Sequence, residues 1–487
     1  MDNWIPTAEG ARMRKGSVKH ATIDDAVTFL TSYDAGASAK FFATSETDIY
    51  DITTPADPDV PPAAAVAGQT SGDWSAVQFA TAGATRLVMV NGADSMQQYD
   101  GTNWHTITGV SAPIAITGVA TDDLSAVWKF KSRLFFIQAG TMSAWYLDPL
   151  AFGGAASELP LGGIFANGGN LLFGATYSMD AGDGLDDFCL FVTDKGEIAV
   201  YQGTDPDDPA AFQLVGIYRI GKPLGKNGWF KAGGDIAIIT DDGIVPASAA
   251  IQSDRSALSG KSITYPIETA WRQLVRDRNG GQFPFSAALW HAEALLMVGI
   301  PTYGPFQAVA LVVNARTGAC ARIVGWDTRA IIVFEDKFYF GNADGEILQG
   351  DISGADNGDP YSAIIVPRFD SLGNAEEKSA IHARVVARGN NEFTPQLFAN
   401  ADYEIEIPTP LSADPDTDPN LWGTGIWDTS TWGVSTEMKA RFSEWQSVAA
   451  NGYALTTGLQ ITSGRVTAPD VELIRLDLQF EVGEVMS

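Results

Sequence analysis

The sequence predicts an all-β protein: a β-propeller of five to seven blades, followed by an antiparallel β-sandwich, with one inserted amphipathic helix. Three observations predict this fold class. Glycine is frequent, at 50 of 487 residues, and 10% of the residues are aromatic, which suits short strands joined by tight turns. A strand–turn–strand pattern recurs up to about residue 364. A longer alternating pattern then replaces it.

The recurring unit is an apolar run, a turn that contains Asp, Asn or Gly, and a second apolar run. Four of its copies place a glycine in the turn, at Gly92, Gly140, Gly196 and Gly243. These glycines lie 48, 56 and 47 residues apart, close to the roughly 40–50 residues of a four-stranded propeller blade. A β-sandwich of six hairpins is the alternative, but the regular spacing favours blades arranged around an axis.

One segment, near residues 265–279, has the periodicity of an amphipathic helix. Its predicted apolar face consists of Ile267, Ala270, Trp271, Leu274 and Val275. Pro266 suits a first helical turn, and glycines at 280 and 281 end the pattern. The opposite face carries Arg272, Arg276 and Arg278. This basic face is either solvated or in contact with an acidic neighbour.

The change of pattern divides the chain into three parts. Residues 1–20 form a basic N-terminal docking segment, residues 21–364 the propeller, and residues 365–487 a platform-like sandwich. Near the end of the sandwich, apolar residues alternate with polar ones along one long strand. They are Ile474, Leu476, Leu478, Phe480 and Val482. Shorter apolar runs at 381–385, 397–399 and 403–407 predict further strands.

The formal net charge of −28 argues against some classes of function. An acidic chain repels the phosphate backbone, so sequence-specific DNA binding is not expected, whereas a surface that DNA passes without binding is compatible with this charge. No apolar run approaches the ~18 residues of a membrane span, and the N-terminus lacks the pattern of a signal peptide. Cys189 and Cys320 are too few for a disulfide framework, and their apolar contexts predict buried, inert thiols.

The motifs of common catalytic and metal sites are missing from the sequence. The four histidines show no zinc-ligand spacing, and no Gly-x-Ser-x-Gly elbow occurs. Gly260, Lys261 and Ser262 imitate the end of a phosphate-binding loop, but Arg255 stands where that loop needs its first glycine. We therefore predict that the protein is not an enzyme and uses no cofactor or metal.

Two features suggest contacts with other molecules. Trp422, Trp427 and Trp432 recur five residues apart, a spacing that fits neither a helix face nor a strand face. They either pack inside the sandwich, form a subunit contact or stack on sugars. Five basic residues cluster near the N-terminus, at Arg12, Arg14, Lys15, Lys19 and His20. They either point outward from a first strand or dock against an acidic partner.

The segment Asn3–Gly16 resembles the opening of tail nozzle proteins of short-tailed bacteriophages, a group also called tail tubular protein B-like or packaged-DNA stabilisation proteins. The tryptophan run and the segment Ser463–Val466 resemble the same group. The resemblance implies a propeller and a β-rich platform in each subunit. It also implies a homohexameric tube below the portal and its adaptor, which retains packaged DNA and later conducts it.

From this resemblance we expect a structural protein of the virion tail, assembled in the cytoplasm of the bacterial host. Its expected partners are other copies of itself, the adaptor and portal, tail fibres or spikes, and passing DNA that is not recognised by sequence. Docking is predicted at Arg12, Arg14, Lys15, Lys19, Arg272, Arg276, Trp422, Trp427 and Trp432. The alternatives are a carbohydrate-binding or glycan-cleaving propeller of the tail-depolymerase type, and a host scaffold propeller that binds peptides at its channel.

Overall fold

The computed structural model describes residues 1–36, 39–178, 187–278, 285–302, 308–389, 393–413, 439–465 and 467–483, and for 439–442 only the backbone. Short strands predominate among these residues. The chain groups into two compact units. The propeller unit comprises residues 20–310 and 326–347, and the sandwich unit comprises residues 1–19, 311–325 and 348–487.

This division differs from the predicted one. Residues 1–19 belong to the sandwich unit and do not form a separate segment, and the chain returns to that unit at residue 311, before the predicted boundary at 364. The physical reason is backbone pairing between distant segments: Ala11 pairs with Leu473, and Arg12 pairs with Glu472. Local periodicity carries no information about such pairing.

The propeller unit consists of small antiparallel sheets that follow one another along the chain. Sheet 1 contains Phe29–Asp34, Ala39–Thr44, Ile49–Asp51 and Ala64–Val66. Sheet 2 contains Ser75–Ala80, Thr85–Val90, Met96–Tyr99 and Trp104–Ile107. Sheet 3 contains Leu124–Phe130, Arg133–Gln138, Ser143–Tyr146 and Ser157–Pro160. Sheet 4 contains Leu171–Tyr177, Phe188–Thr193, Glu197–Gly203 and Phe212–Arg219.

The series continues with three further sheets. Sheet 5 contains Trp229–Ala232, Asp235–Thr240 and Gly243–Pro246. Sheet 6 pairs Ser286–Trp290 with Leu295–Ile300, and sheet 7 pairs Ala330–Phe334 with Lys337–Gly341. Ile116–Thr117 and Gly154–Ala155 form a separate parallel pair. Three further strands follow sheet 6 or sheet 7 along the chain: Val309–Asn314, Cys320–Val324 and Glu346–Ser353. The strand Gly16–Thr22 precedes sheet 1.

The seven sheets of the described residues close into a ring. Each sheet contacts the next one in chain order, and Ala330–Phe334 of sheet 7 contacts Phe29–Asp34 of sheet 1. At the centre, residues of six of the sheets line an axial cavity of about 190 Å³. A closed ring of antiparallel sheets around a central channel is a β-propeller. The predicted propeller is therefore confirmed, with its sheet number at the upper end of the predicted range.

The predicted hairpins join the second and third strands of sheets 2 to 5. Gly92, Gly140, Gly196 and Gly243 lie in their turns, with φ between 66° and 138°. At Gly196 a Cβ atom would lie 2.6 Å from the carbonyl oxygen of Ile220, so this turn excludes a side chain as well as favouring glycine. The turn glycines were thus a reliable sequence signal of the blades.

The helices are short. In the described residues they are α1 (Ala247–Gln252), α2 (Arg255–Leu258) and α3 (Glu268–Arg278), with 3-10 turns at Thr121–Asp123, Ser259–Lys261 and Tyr265–Ile267. The predicted amphipathic helix is α3. Its buried residues are Trp271, Val275 and Arg278, whereas Ala270 is exposed, so its buried face is rotated from the predicted one. With 6 and 4 residues, α1 and α2 are too short for periodicity to reveal them.

The described residues of the sandwich unit include a larger and a smaller sheet, which face a common core. The larger has the order Trp4–Pro6, Ala11–Met13, Val471–Val482, Lys378–Gly389 and Lys439–Phe442, and Gln446–Gly452 also pairs with Lys378–Gly389. The smaller has the order Tyr361–Ile365, Leu455–Ser463 and Pro395–Ala401. Apolar side chains of both sheets, among them Trp4, Val385 and Leu459, form one core. This arrangement confirms the predicted β-sandwich.

The long strand Val471–Val482 follows the predicted alternation only in part. Leu476, Leu478 and Phe480 pack against the sandwich core, as expected. Ile474 is 46% exposed. The register with Lys378–Gly389 shifts at this point, which leaves Ile474 as the extra residue of a β-bulge. One extra residue moves a side chain to the other face of a strand, so the alternation breaks there.

Candidate interaction surfaces

Arg14 lies at the centre of a charged cluster inside the sandwich unit. Its side chain is fully buried, and two of its nitrogens bind the Asp356 carboxylate at 2.6 and 2.8 Å. Its Nε donates to the side-chain oxygen of Asn3 at 2.9 Å, and the guanidinium stacks 4.0 Å above the ring of Tyr361. Burial raises the pKa of Tyr361, whose hydroxyl donates to the Arg14 carbonyl. Arg14 therefore anchors the N-terminal segment to its own unit.

Arg12 and Lys15 also bind carboxylates of the same unit. Arg12 forms a bidentate ion pair with Asp351, at 2.7 and 3.1 Å. The backbone N–H of Lys15 donates to Asp351 at 2.7 Å, and the Lys15 ammonium lies 3.0 Å from Asp470. The structure thus brings these predicted docking residues together, around acidic groups of the same chain. Their role in docking stays a prediction.

The other two basic residues of the predicted docking segment lie on the strand Gly16–Thr22. Lys19 is half-buried there. His20 packs between aromatic rings of the propeller unit, 5.2 Å from the ring centre of Tyr339 and 5.8 Å from that of Phe41, and its Nε2 lies 2.8 Å from the carbonyl oxygen of Ile52. His20 is therefore a packed side chain.

The acidic partners of the basic segment were missed at the sequence level. Asp351 lies 339 residues from Arg12, and Asp356 lies 342 residues from Arg14. The chain contains 59 acidic residues, so nothing in the sequence distinguishes these two. Only the three-dimensional pairing of the chain identifies them.

The basic face predicted on α3 is only partly exposed. Arg278 is buried, and it donates to the carbonyl oxygen of Pro301 at 3.0 Å, so its assignment to this face was wrong. A helix of 3.6 residues per turn places Arg278 near Trp271, seven residues earlier, on the buried side. Trp271 donates from its indole nitrogen to the carbonyl oxygen of Thr240 at 3.0 Å. This contact orients the helix against sheet 5.

The exposed residues of α3 include Thr269, Arg272 and Arg276, and the 3-10 turn before it exposes Tyr265; we call these four residues the α3 stripe. Tyr265 is 55% exposed. Arg272 lies 2.8 Å from Glu268, one turn earlier, and both groups are accessible to solvent. Arg276 is exposed and forms no ion pair with the residues that the structure describes. The stripe is thus a basic and aromatic surface on an acidic chain.

The segment Tyr403–Leu411, which we call the acidic strip, follows the strand Pro395–Ala401 in the sandwich unit. Asp402 and Tyr403 have φ of 50° and 69°, and the N–H of Glu404 donates to the carbonyl oxygen of Ala401 at 3.0 Å. This is the geometry of a tight hairpin turn. The chain therefore reverses and runs back beside the strand that it has just left.

The strand predicted at 403–407 is absent from this described segment, and the prediction was wrong. Side chains of the neighbouring strand replace the backbone ladder: Asn400 accepts from the N–H of Glu406, and Gln396 donates to the carbonyl oxygen of Thr409, both at 3.2 Å. Prolines at 408 and 410 have no N–H to donate, so no ladder can extend through those positions. The alternating residues remain at the surface.

Four large apolar residues of the acidic strip are exposed. Tyr403 is 74% exposed, Ile405 57%, Ile407 48% and Leu411 45%. Glu404 and Glu406 alternate with the first three and are also exposed. Clustered apolar residues of this size at the surface of a folded protein typically mark an interaction site.

A loop before sheet 5 reaches across the propeller axis. Lys226 is buried, and its ammonium contacts the carbonyl oxygens of Asp73 and Ser125 and, at 3.2 Å, the Asp73 carboxylate. Asn227 lines the axial cavity and donates to the carbonyl oxygen of Trp74 at 2.8 Å. Burial lowers the pKa of Lys226. Because sheets 2 and 3 are not neighbours of sheet 5, this loop bridges the axis.

A larger cleft, of about 490 Å³, lies at the C-terminal ends of the first strands of sheets 2 to 5. Lys129, Lys131 and Lys231 line it together with Asp187. The Lys131 ammonium is 4.0 Å from the buried Asp187 carboxylate, so part of the positive charge is compensated within the cleft.

The tryptophans predicted to dock, Trp422, Trp427 and Trp432, lie outside the described residues. Within the described ranges, no helix has the length and apolar character needed to cross a membrane. The same residues contain no group of three or more His, Cys, Asp or Glu side chains that could hold a metal ion. Cys189 is buried and Cys320 half-buried; burial raises the pKa of both thiols, and neither is in a disulfide.

The sequence matches no protein-family model and no curated protein. Among solved structures, BBS1N crystallised in complex with ARL6DN is similar at a TM-score of 0.41 and 8% identity, covering 69% of this chain and 97% of that one. The computationally designed Ika8 protein has a TM-score of 0.36 and 11% identity, covering 72% and 95%. BamB from Moraxella catarrhalis has a TM-score of 0.35 and 12% identity, covering 72% and 94%. These TM-scores are too low to indicate a function. The assignment of the fold therefore rests on the closed ring of sheets.

Proposed function

We propose that this protein is a tail nozzle of a short-tailed bacteriophage, a structural protein without catalytic activity. In this proposal, copies form a homohexameric ring below the portal and its adaptor. The ring retains packaged DNA in the virion and conducts it during ejection. Tail fibres or spikes attach to the same assembly.

One observation carries the proposal: the two ends of the chain that resemble nozzle proteins belong to the same unit. The opening segment Asn3–Gly16 and the segment around Ser463 both lie in the sandwich unit. Ala11 pairs with Leu473, and Ser463 donates to the carbonyl oxygen of Gly354. Segments that resemble one family at both ends of a sequence, and then build one sheet sandwich, support a common origin for the whole unit.

The charge of the chain supports the role of a DNA conduit. A net charge of −28 makes phosphate binding unfavourable over most of the surface, so DNA passing such a wall would not adhere to it. The axial cavity of the propeller measures only about 190 Å³, and the loop with Lys226 bridges the axis. In the proposed ring the DNA therefore runs along the axis of the assembly, outside each propeller.

The test is the mass of the purified protein in solution, together with negative-stain images of the protein and of virion tails. Sixfold rings, or copies positioned below a portal, are the expected result. A monomer that cleaves bacterial surface glycans would contradict the proposal and favour the depolymerase alternative.

Charge reversal at Arg12, Arg14 and Lys15 remains a test of docking, with tail assembly expected to fail. Because Arg14 is buried against Asp356, its reversal also disturbs folding of the sandwich unit. The informative variant is therefore Lys15→Glu, because the Lys15 side chain is about one-third exposed. If this variant folds normally and still assembles into tails, the segment has no docking role at Lys15.

A further inference from the structure

We propose that the acidic strip of one copy docks onto the α3 stripe of a second copy. This inference rests on the proposed ring, and it names the two surfaces that meet. A cyclic head-to-tail ring needs two different surfaces on each subunit, one for each neighbour. The acidic strip and the α3 stripe are such a pair.

The first argument is the apolar content of the acidic strip. Tyr403, Ile405 and Ile407 are between 48% and 74% exposed. Removing apolar side chains of this size from water favours association. The strip is tied to the neighbouring strand by the turn bond from Glu404 to Ala401 and by the side chains of Asn400 and Gln396, which leaves Ile405 and Ile407 largely exposed. Tyr403 contacts the ring of Phe369 at 5.0 Å between ring centres, and most of its surface remains exposed. A second molecule can cover these side chains.

The second argument is charge. Glu404 and Glu406 are exposed and form no ion pair with other residues of the described ranges. The α3 stripe offers Arg272 and Arg276, in a chain where acidic residues outnumber basic ones by 59 to 31. Most surfaces of two copies therefore repel each other, and a basic stripe is one of few places where an acidic strip is attracted. Such complementarity selects one orientation of approach.

The third argument is spacing. Arg272 and Arg276 are one turn apart, about 6 Å along the helix axis. Glu404 and Glu406 are two residues apart in an extended segment, about 6.6 Å. Two ion pairs can therefore form side by side. If the helix approaches the edge of the strip, the ring of Tyr265 and the aliphatic stems of the arginines can cover Ile405 and Ile407.

The residue types of the α3 stripe fit this role. Tyrosine and arginine are enriched among the residues that dominate binding energy at protein interfaces. Arg276 forms no ion pair with the described residues of its own chain. The ion pair between Arg272 and Glu268 is accessible to solvent. Binding therefore requires no buried ion pair of the subunit to be broken.

The test uses charge reversal on each surface of the full chain. Glu404→Arg with Glu406→Arg should abolish ring formation, and so should Arg272→Glu with Arg276→Glu, because each places like charges opposite each other. The variant that combines all four changes should form rings again. Asp57→Arg with Asp59→Arg, in an exposed loop and with the same spacing and charge change, is the matched control and should assemble like the wild type.

A milder pair, Glu404→Gln with Glu406→Gln, guards against variants that fail to fold. Loss of two partly exposed ion pairs should raise the concentration needed for half-assembly about tenfold. Circular dichroism checks folding, and sedimentation with negative stain measures assembly at physiological salt and above.

The outcomes separate the two proposals. If wild type forms rings and the reversed variants form them equally well, the docking contact is overturned and the nozzle proposal stands. If the combined variant fails to recover although each pair folds, the two surfaces are not partners. If the wild type forms no ring alone or on virion tails, the nozzle proposal fails, and the docking contact fails with it.

Discussion

The propeller unit and the sandwich unit are connected in opposite ways. Each of sheets 1 to 5 is made from one continuous stretch of chain; sheet 4, for example, runs from Leu171 to Arg219. The sandwich joins distant segments: Ala11 pairs with Leu473, and the side chain of Asn3 donates to the carbonyl oxygen of Ser362, 359 residues away. Both units consist mainly of antiparallel sheets and have apolar cores, so composition does not distinguish them.

This difference predicts how far the effect of a local substitution spreads within each unit. A propeller sheet depends on turns within its own stretch of chain, and damage to one turn should remain in the propeller. The sandwich depends on a few contacts that hold its distant segments together, among which the Arg14–Asp356 pair is fully buried on the arginine side. Loss of one such contact should affect the whole unit.

The largest expected effect is that of Asp356→Ala. This change leaves the buried guanidinium of Arg14 without its carboxylate, and removing one partner of a buried ion pair costs about 3–5 kcal/mol. Hydrogen exchange should show faster exchange in Lys378–Gly389 and Val471–Val482, while sheet 4 keeps its protection. Equal loss of protection in both units would contradict the expectation that the Arg14–Asp356 pair stabilises the sandwich unit alone.

The control for this prediction is Asp2→Ala. Arg322 also binds Asp2 through two nitrogens at 2.8 Å, but the Arg322 side chain is 58% exposed. Exposed ion pairs contribute about 0–1 kcal/mol. Asp2→Ala should therefore change the free energy of unfolding by less than about 1 kcal/mol. A loss as large as that of Asp356→Ala would show that burial is not the cause.

Alkaline pH should destabilise the propeller through several buried tyrosines. Burial and the nearby carboxylates of Asp24 and Asp48 raise the pKa of Tyr50 to about 12. Burial and a 2.6 Å hydrogen bond to Asp207 raise the pKa of Tyr146 to about 12. Further propeller tyrosines have raised pKa values for the same main reason, at Tyr33, Tyr99, Tyr177, Tyr201 and Tyr339.

The direction of the pH effect follows from linkage. In the unfolded chain these phenols lose their proton near pH 10, whereas the folded chain retains it, so stability that is present below pH 10 falls as the pH rises towards about 12. A Tyr50→Phe, Tyr146→Phe variant should unfold at higher pH. The difference in tyrosinate absorbance between the wild type and this variant, which isolates the two buried rings, should rise together with the loss of circular dichroism. If this difference appeared near pH 10 without unfolding, it would contradict the burial of the two rings.

Two turn substitutions in the propeller should cost less than Asp356→Ala. Gly196→Ala places a Cβ atom 2.6 Å from a backbone oxygen at a φ of 79°, and should destabilise the propeller by about 2–4 kcal/mol. Gly140→Ala has a φ of 66° and open space around the new atom, and should cost about 1–2 kcal/mol. Urea unfolding measures both. A change of sandwich protection in either variant would contradict the local character of the sheets.

The sequence predicted the features that depend on neighbouring residues. Turn glycines such as Gly196 and Gly243 marked the propeller hairpins, and the apolar period of α3 marked the inserted helix. Both signals are local, because a turn needs a positive φ at a given position and a helix repeats within four residues.

The features that the sequence did not predict depend on distant residues or on a single inserted residue. Nothing near Arg14 indicates that Asp356 will neutralise it, and the bulge at Ile474 reverses a face without any change of composition. The alternation at 403–407 is a strand pattern, but the returning chain is bound by the side chains of Asn400 and Gln396 and forms no ladder. The exposure of Ile405 and Ile407 depends on this arrangement, and the alternation alone does not reveal it.

The pairing of Ala11–Met13 with Val471–Val482 sets an order of events during translation. The partner strand emerges from the ribosome roughly 460 residues later, which at about 5–20 residues per second is on the order of 20–90 seconds. The sheets of the propeller can close one after another during this time, each from its own stretch of nascent chain. Trp4, which is fully buried in the finished sandwich core, has no complete core to enter until then. A chain whose synthesis ends before residue 471 therefore lacks the partner of its first strands, which remain exposed to chaperones and proteases.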